Sequence, residues 1–158
     1  IELRLLAHFI GQGNLVDALQ QQDDIFLSIS AAWYHKSIQD VSPAERQATK
    51  QICYAIIYGA GCRHIAEELS MSVDEAESMY HSFLQAFPEI LMFVEKVKEQ
   101  CAEIGYVRTL LGRRRKLKHI HSKEPALRAK AERQAVNTLC QGSAADLIKV
   151  RSTALLCV

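Results

Sequence analysis

Apolar residues recur at helical rather than strand spacing along most of this chain. Val73, Ala76, Met79, Tyr80 and Phe83 form one such stripe, expected to face a core. Patterns of this kind predict helices at about 14–21, 24–35, 43–58, 62–69, 73–86, 88–104 and 125–150, with loops carrying Gly11, Gly13, Pro88 and Gly105. Two capping boxes mark where helices start. Ser42-Pro43-Ala44-Glu45 adds proline at the first helical position, and Ser72-Val73-Asp74-Glu75 precedes the apolar stripe. Gly59-Ala60-Gly61 ends the helix that begins at Pro43. Strand signals are sparse. Tyr106-Val107-Arg108-Thr109-Leu110 alternates as a short strand does, and Gly112 then turns into a run of arginines. Residues 1 to 10, apolar-rich with Glu2 and Arg4 inside, read as the end of a strand running into a helix. No internal repeat or low-complexity segment is present, and the fold class is mainly α with a small β part.

On the helix from Pro43, a second pattern is chemical rather than apolar. Arg46, Lys50, Tyr54 and Tyr58 are spaced by four and followed at once by Gly59. Such a stripe drifts only ~40° per step, and Arg46 to Tyr58 spans roughly 18 Å along the axis. That length suits an extended nucleoside triphosphate, with two cations for the phosphates and two phenols for a sugar and a base. A solvated helix face with basic and aromatic residues has the same spacing, so the four alone leave both readings open.

Composition narrows the classes. At 158 residues and 49% hydrophobic, the chain has enough apolar material for one core. The net charge of +1 conceals a local excess, because 10 of the 19 lysines and arginines fall between Arg108 and Arg133, against only Glu124 and Glu132. Cys53, Cys62, Cys101, Cys140 and Cys157 are scattered without metal-ligand spacing, which fits a reducing compartment. His119 and His121 have no cysteine or carboxylate partners nearby in sequence, so no metal site is expected from them. Without a secretory signal or a run of ~20 apolar residues, the chain is expected to be soluble and intracellular, with no membrane partner.

The last long helix carries Arg133, Asn137 and Gln141 at i, i+4 and i+8, with Gly142 next. Three donors in a row suit the minor groove, where acceptors recur at equivalent positions in every base pair. Ahead of them, Arg113, Arg114, Arg115 and Lys116 can neutralise backbone phosphates without reading sequence. A polar solvated face beside a charged loop is the competing account. Gly59-Ala60-Gly61-Cys62-Arg63-His64 is not a dinucleotide fingerprint, since His64 takes the third glycine's place and a helix precedes it. A P-loop and a Gly-x-Ser-x-Gly elbow are also absent from the sequence.

Three blocks, in order, resemble the family A DNA polymerases, the group of bacterial DNA polymerase I. Ile1-Glu2-Leu3-Arg4 with Ala7-His8 is similar to the tail of the first catalytic motif. Arg46-x3-Lys50-x3-Tyr54-x3-Tyr58-Gly59 resembles the fingers helix that binds the incoming nucleotide. Arg133-Gln134-Ala135-Val136-Asn137 through Gln141-Gly142-Ser143-Ala144-Ala145-Asp146 is similar to the palm helix on the template-primer minor groove. The resemblance implies fingers helices plus part of the palm of a right-hand polymerase: 1–42 leading from palm to fingers, 43–104 fingers, and 105–158 returning to the palm. It implies template-directed addition of deoxynucleotides to a primer 3′ end, in DNA repair or replication, with primer-template DNA and deoxynucleoside triphosphates as partners.

Residue by residue, the resemblance assigns Arg46 and Lys50 to the triphosphate, Lys50 also as a proton donor to the leaving pyrophosphate. Tyr54 lies beside the sugar 3′ position, and Tyr58 and Gly59 near the nascent base pair. Glu2 packs against Tyr58 to exclude a ribose 2′-hydroxyl, while Arg133, Asn137 and Gln141 check newly formed pairs. The segment Gln51 to Gly59, the triple arginine after Gly112 and Glu132-Arg133-Gln134-Ala135 look more like the eukaryotic theta and nu repair polymerases, which implies a nuclear location. Phe26 stands where bacterial members usually place a phosphate-contacting histidine. The family's two Mg2+ ions are held by two aspartates, one five residues before the position of Glu2 and one in a His-Asp-Glu motif after the palm helix. Both fall outside residues 1–158, so this segment alone is expected not to extend a primer. The alternative is a non-catalytic DNA-binding paralogue or truncated product that keeps the grip without the metals.

Overall fold

The computed structural model describes residues 1–20 and 24–156, with side chains described as far as Ser152. Residue 21, the expected end of the second helix, and Cys157 lie outside the described residues. In chain order the helices are α1 (Glu2–Ile10), α2 (Asn14–Gln20), α3 (Ile25–Tyr34), α4 (Pro43–Tyr58), α5 (Cys62–Leu69), α6 (Val73–Ala86) and α7 (Pro88–Ile104). A hairpin of β1 (Tyr106–Arg108) and β2 (Arg114–Lys116) follows, then α8 (Pro125–Asn137), a π turn at Thr138–Gly142, and α9 (Ser143–Leu156). The chain divides into two compact units, one of residues 7–93 and one of residues 1–6 with 94–158.

In the first unit, α3, α4, α5 and α6 meet around fully buried Ile29, Ile52, Ile57, Ile65, Phe83 and Phe87. Trp33 on α3 sets its ring edge-on to Phe83 at 5.1 Å between centroids and donates from Nε1 to Ser82 Oγ at 3.2 Å. Polar groups within this core are matched: Ser30 Oγ donates to Thr49 Oγ1 (2.7 Å), and Thr49 Oγ1 to the Glu45 carbonyl (2.8 Å). These bonds and the apolar layer fix the register of α3 against α4, which positions the chemical stripe. Of the expected apolar stripe on α6, Ala76 and Phe83 are buried, but Val73 is 39% exposed because it lies at the first helical position, outside the packed turns.

Both expected capping boxes form. Glu45 N donates to Ser42 Oγ while Ser42 N donates to Glu45 Oε2, and Ser72 and Glu75 repeat the exchange. The start of α2 uses a distant residue instead. Glu89 Oε1, from α7, accepts from Leu15 N at 2.6 Å, and Asn14 Nδ2 donates to the Ala86 carbonyl at 2.8 Å. Gly13 lets this happen: its φ is +128°, and a Cβ there would lie 2.7 Å from Glu89 Cδ. Gly13→Ala is therefore expected to destabilise the fold by ~2 kcal/mol, through left-handed strain and a displaced cap, as measured by urea unfolding.

The second unit contains the hairpin, α8, the π turn and α9, with Val97, Cys101, Val107, Leu117, Ile120, Ala131, Ala135, Cys140 and Ala144 buried. The strands pair antiparallel, Tyr106 with Lys116, Val107 with Arg115 and Arg108 with Arg114. Three expectations are corrected here and at the chain start. Residues 2–10 are helical throughout rather than opening as a strand, because Leu3, Leu6 and Ala7 fall at i, i+3 and i+4 and are all buried. The arginine run is partly a strand rather than a loop, held by cross-strand pairing that basic composition does not reveal. The helix expected over 125–150 is interrupted by the π turn.

Candidate functional site

Helix α4 buries Ala48, Thr49, Ile52, Cys53, Ala55, Ile56 and Ile57, which leaves Arg46, Lys50, Tyr54 and Tyr58 on the face that turns from the core to solvent. Tyr54 and Tyr58 are stacked with centroids 5.6 Å apart and planes inclined by 5°. Phe26, from the first turn of α3, meets Tyr54 edge-on at 5.9 Å, and the Arg46 guanidinium lies 5.7 Å from the Phe26 centroid. Lys50 Nζ is 5.9 Å from the Tyr54 centroid. The stripe is thus one contiguous ladder, cations at one end and phenols at the other. It ends where Gly59, at φ +67°, closes α4 by donating to the Ala55 carbonyl, before Gly61 opens α5 two residues later.

Sequence reasoning placed Phe26 near this site but did not assign Asp24. Its carboxylate does two things at once. Oδ1 accepts from Phe26 N (3.0 Å) and Leu27 N (3.2 Å), capping α3, and Oδ2 accepts from Arg46 Nε (3.1 Å) and Nη2 (2.9 Å). Burial pushes the Asp24 carboxyl up, but the Arg46 hydrogen bond and charge and the two amides outweigh it and hold it below its ordinary value. An N-cap aspartate before Phe26 is a signal that the sequence contains; its second partner, 22 positions away, is not.

In the second unit, the hairpin is tied to the π turn. Thr109 Oγ1 donates to Asp146 Oδ2 (2.5 Å), Arg113 Nε to Asp146 Oδ1 (3.0 Å), Arg113 Nη2 to the Gly142 carbonyl (3.1 Å), Leu110 N to Ser143 Oγ (2.9 Å), and Arg115 Nη1 to Thr138 Oγ1 (2.8 Å). Arg114 instead lies over the Tyr106 ring at 5.1 Å. Gly142 permits the close approach, since a Cβ there would lie 2.8 Å from Thr109 Cγ2. The Thr109 hydroxyl, with Arg113 and Lys149, holds the Asp146 carboxyl below its usual range. This junction is intact at neutral pH and weakens only as pH falls through that lowered value.

The π turn also aligns the three donors. From Arg133 to Asn137 an α-helix overruns a full turn by ~40°. From Asn137 to Gln141 the chain crosses a turn closed i to i+5, where four residues fall short of a full turn. Overrun and shortfall offset, so Arg133, Asn137 and Gln141 share a face, the first exposed and the others partly so. Glu2 belongs to this unit, in the first turn of α1. Among the described residues no group of three or more His, Cys, Asp or Glu is placed to hold a metal ion, and no helix is long and apolar enough to cross a membrane. Burial pushes the Cys53 and Cys140 thiols up to about 12, with Glu2 adding to the effect at Cys140, so these two are packing residues rather than nucleophiles.

The model of DNA polymerase family A matches residues 1–155. The chain is 39% identical over 155 residues to DNA polymerase I of Treponema pallidum, covering 98% of this chain and 16% of that protein. It is 41% identical over 150 residues to mouse DNA polymerase theta, covering 95% of this chain and 6% of the relative. A solved structure described as the POL domain of Pol1 from M. smegmatis in complex with DNA primer-template and dNTP superimposes with a TM-score of 0.85 at 33% identity, over 95% of this chain and 26% of that one. The chain therefore spans about a sixth or less of the length of these two curated relatives.

Proposed function

This chain belongs to DNA polymerase family A, and from that membership we propose that the protein containing it adds deoxynucleotides to a primer 3′ end under the direction of a template. The α4 ladder is the binding surface for the incoming nucleotide, and the Arg133-Asn137-Gln141 face grips the minor groove of the primer-template. The observation that carries this reading is the continuity of the ladder: two cations and two stacked phenols on one helix face, ending at a left-handed glycine. In this assignment Arg46 and Lys50 hold the triphosphate, Tyr54 lies beside the sugar 3′ carbon, and Tyr58 and Gly59 lie beside the new base pair. The pairing of Glu2 with Tyr58 as a sugar gate rests on family resemblance. We further propose residues 1–42 as palm-to-fingers entry, 43–104 as fingers and 105–158 as return to the palm.

Family A polymerases generally use divalent metal ions, Mg2+ in this proposal, to activate the primer hydroxyl and stabilise the leaving oxygen. The described residues do not fit that group. Asp146, the acidic side chain that follows the donor face on α9, is committed to Thr109 and Arg113, and among the described residues no group of three or more His, Cys, Asp or Glu is placed to hold a metal ion. The part played by this chain is to bind, orient and supply charge. A cation ~4 Å from a phosphate oxygen is worth about 4 kcal/mol at an effective dielectric of ~20, before desolvation. On the DNA side, Arg114 has no ion pair among the described residues and is the hairpin arginine best suited to a phosphate, whereas Arg113 and Arg115 make internal hydrogen bonds. Subgroup resemblance to the theta polymerases supports a nuclear repair role.

Tyr54 supplies the test. A phenol hydroxyl beside the sugar can replace the hydrogen bond that a dideoxynucleotide lacks. Tyr54→Phe in the complete protein is expected to strengthen discrimination against dideoxynucleotides by about tenfold or more, the worth of one well-made hydrogen bond. Competing incorporation of the two nucleotides measures the ratio, and equal ratios for both forms would remove Tyr54 from the sugar site. The competing reading, a DNA-binding paralogue without turnover, is recognised by absence of any primer extension in the same assay.

A further inference from the structure

We propose that Asp24 is a positioning residue for nucleotide binding: its carboxylate locks the Arg46 guanidinium in the orientation that receives the triphosphate. This rests on the reading of the α4 ladder as the nucleotide surface. Asp24 Oδ2 takes both Nε and Nη2 of Arg46, and thereby one whole edge of the guanidinium plane. The same side chain is itself immobilised, since Oδ1 is bound to two amides at the start of α3. Phe26, the next residue but one, places its ring 5.7 Å from the guanidinium, close to Tyr54. Among the described residues Arg46 Nη1 makes no hydrogen bond, so its N–H groups remain free to donate to a ligand while the other edge of the guanidinium is held. Arginine has a long side chain with much rotamer freedom to lose on binding. Asp24 removes that freedom before the ligand arrives, which is preorganisation.

A carboxylate beside a phosphate site also has an opposing effect. Its negative charge repels the triphosphate and partly neutralises Arg46. With 38% of the Arg46 side chain and 37% of the Asp24 side chain exposed, that repulsion is screened by solvent, whereas the orientation set by two directed hydrogen bonds is not. Orientation therefore dominates. The two effects predict opposite signs when the charge is removed, which makes the assignment decidable.

Asp24→Asn is the informative substitution, because asparagine remains a good N-cap for α3 while its amide no longer supplies the anion that holds Arg46. In the complete protein, Asp24→Asn is expected to raise KM for the incoming deoxynucleotide about tenfold and to weaken pyrophosphate inhibition by a similar factor. The rate constant kcat is expected to change less than KM, with thermal unfolding and primer-template affinity unaltered. In an Arg46→Ala background the same substitution is expected to add nothing. A lowered or unchanged KM for Asp24→Asn, with Arg46→Ala still raising it, overturns the positioning role and leaves the ladder reading standing. An undiminished effect of Asp24→Asn in the Arg46→Ala background also overturns it, since Asp24 would then act by another route. If Arg46→Ala leaves KM unchanged, the ladder reading itself fails and this inference with it. Asp24→Ser, which also caps without charge, is expected to reproduce the asparagine result; normal KM with serine would assign the asparagine effect to its amide and overturn the proposal.

Discussion

Replacing Lys50 with alanine in the complete protein is expected to slow single-nucleotide addition by about 10²–10³-fold, with primer-template affinity changed by no more than about twofold. The contrast with Arg46 explains why this residue should dominate. Arg46 is bound to Asp24, whereas Lys50 has no ion pair among the described residues and lies against the Tyr54 ring. Its ammonium is therefore available to a phosphate oxygen, and unlike a guanidinium it can release a proton to the leaving group. A contact that tightens as charge develops lowers the barrier rather than merely the KM. Lys50→Arg separates the two roles: it should restore much of the nucleotide affinity but little of the rate. Rapid-quench measurement of one addition on a defined primer-template distinguishes them. An unchanged rate for Lys50→Ala would exclude Lys50 from the chemical step.

Phe83→Ala is expected to cost ~3–5 kcal/mol, the largest stability loss from a single truncation in the residue 7–93 unit. Phe83 is fully buried, meets Trp33 edge-on and lies 4.8 Å from Phe87 between centroids, so its removal leaves a cavity beside Trp33 and Phe87. Trp33, the one tryptophan of the chain, reports on this site directly. Urea unfolding followed by its fluorescence should show a lower midpoint at similar slope. The loss reaches function because Trp33 packs α3, and α3 carries Asp24 and Phe26 at its other end. Met92→Ala, at 72% exposure, is the matched control and should change stability by less than about 0.5 kcal/mol. A midpoint for Phe83→Ala equal to that control would contradict the packing described.

The elements legible in the sequence were those governed by neighbours within a few positions. The start of α4 at Pro43 and its end at Tyr58 follow from a capping box and a left-handed glycine, both local devices, and the structure has both. The four-residue spacing of the stripe needed only helical geometry. Residues 1–10 were less legible because Glu2 and Arg4 interrupt an apolar run too short to separate strand from helix by period. β2 was hidden because Arg114-Arg115-Lys116 has no apolar alternation, and all three are exposed. Its pairing comes from β1.

The sequence by itself determined the family, the helical framework and which residues share a face of α4, since each depends on residue identity and fixed helical periodicity. Only the tertiary structure decided what those residues touch. It placed the Asp24 carboxylate on Arg46, gave Arg113 and Arg115 partners at the π turn, and inserted that turn so that Gln141 falls in line with Arg133 and Asn137. Contacts separated by 22 to 33 positions depend on how helices and hairpin pack together. Local propensity has no means of encoding that geometry, because it is set by side chains that meet only after the core has formed.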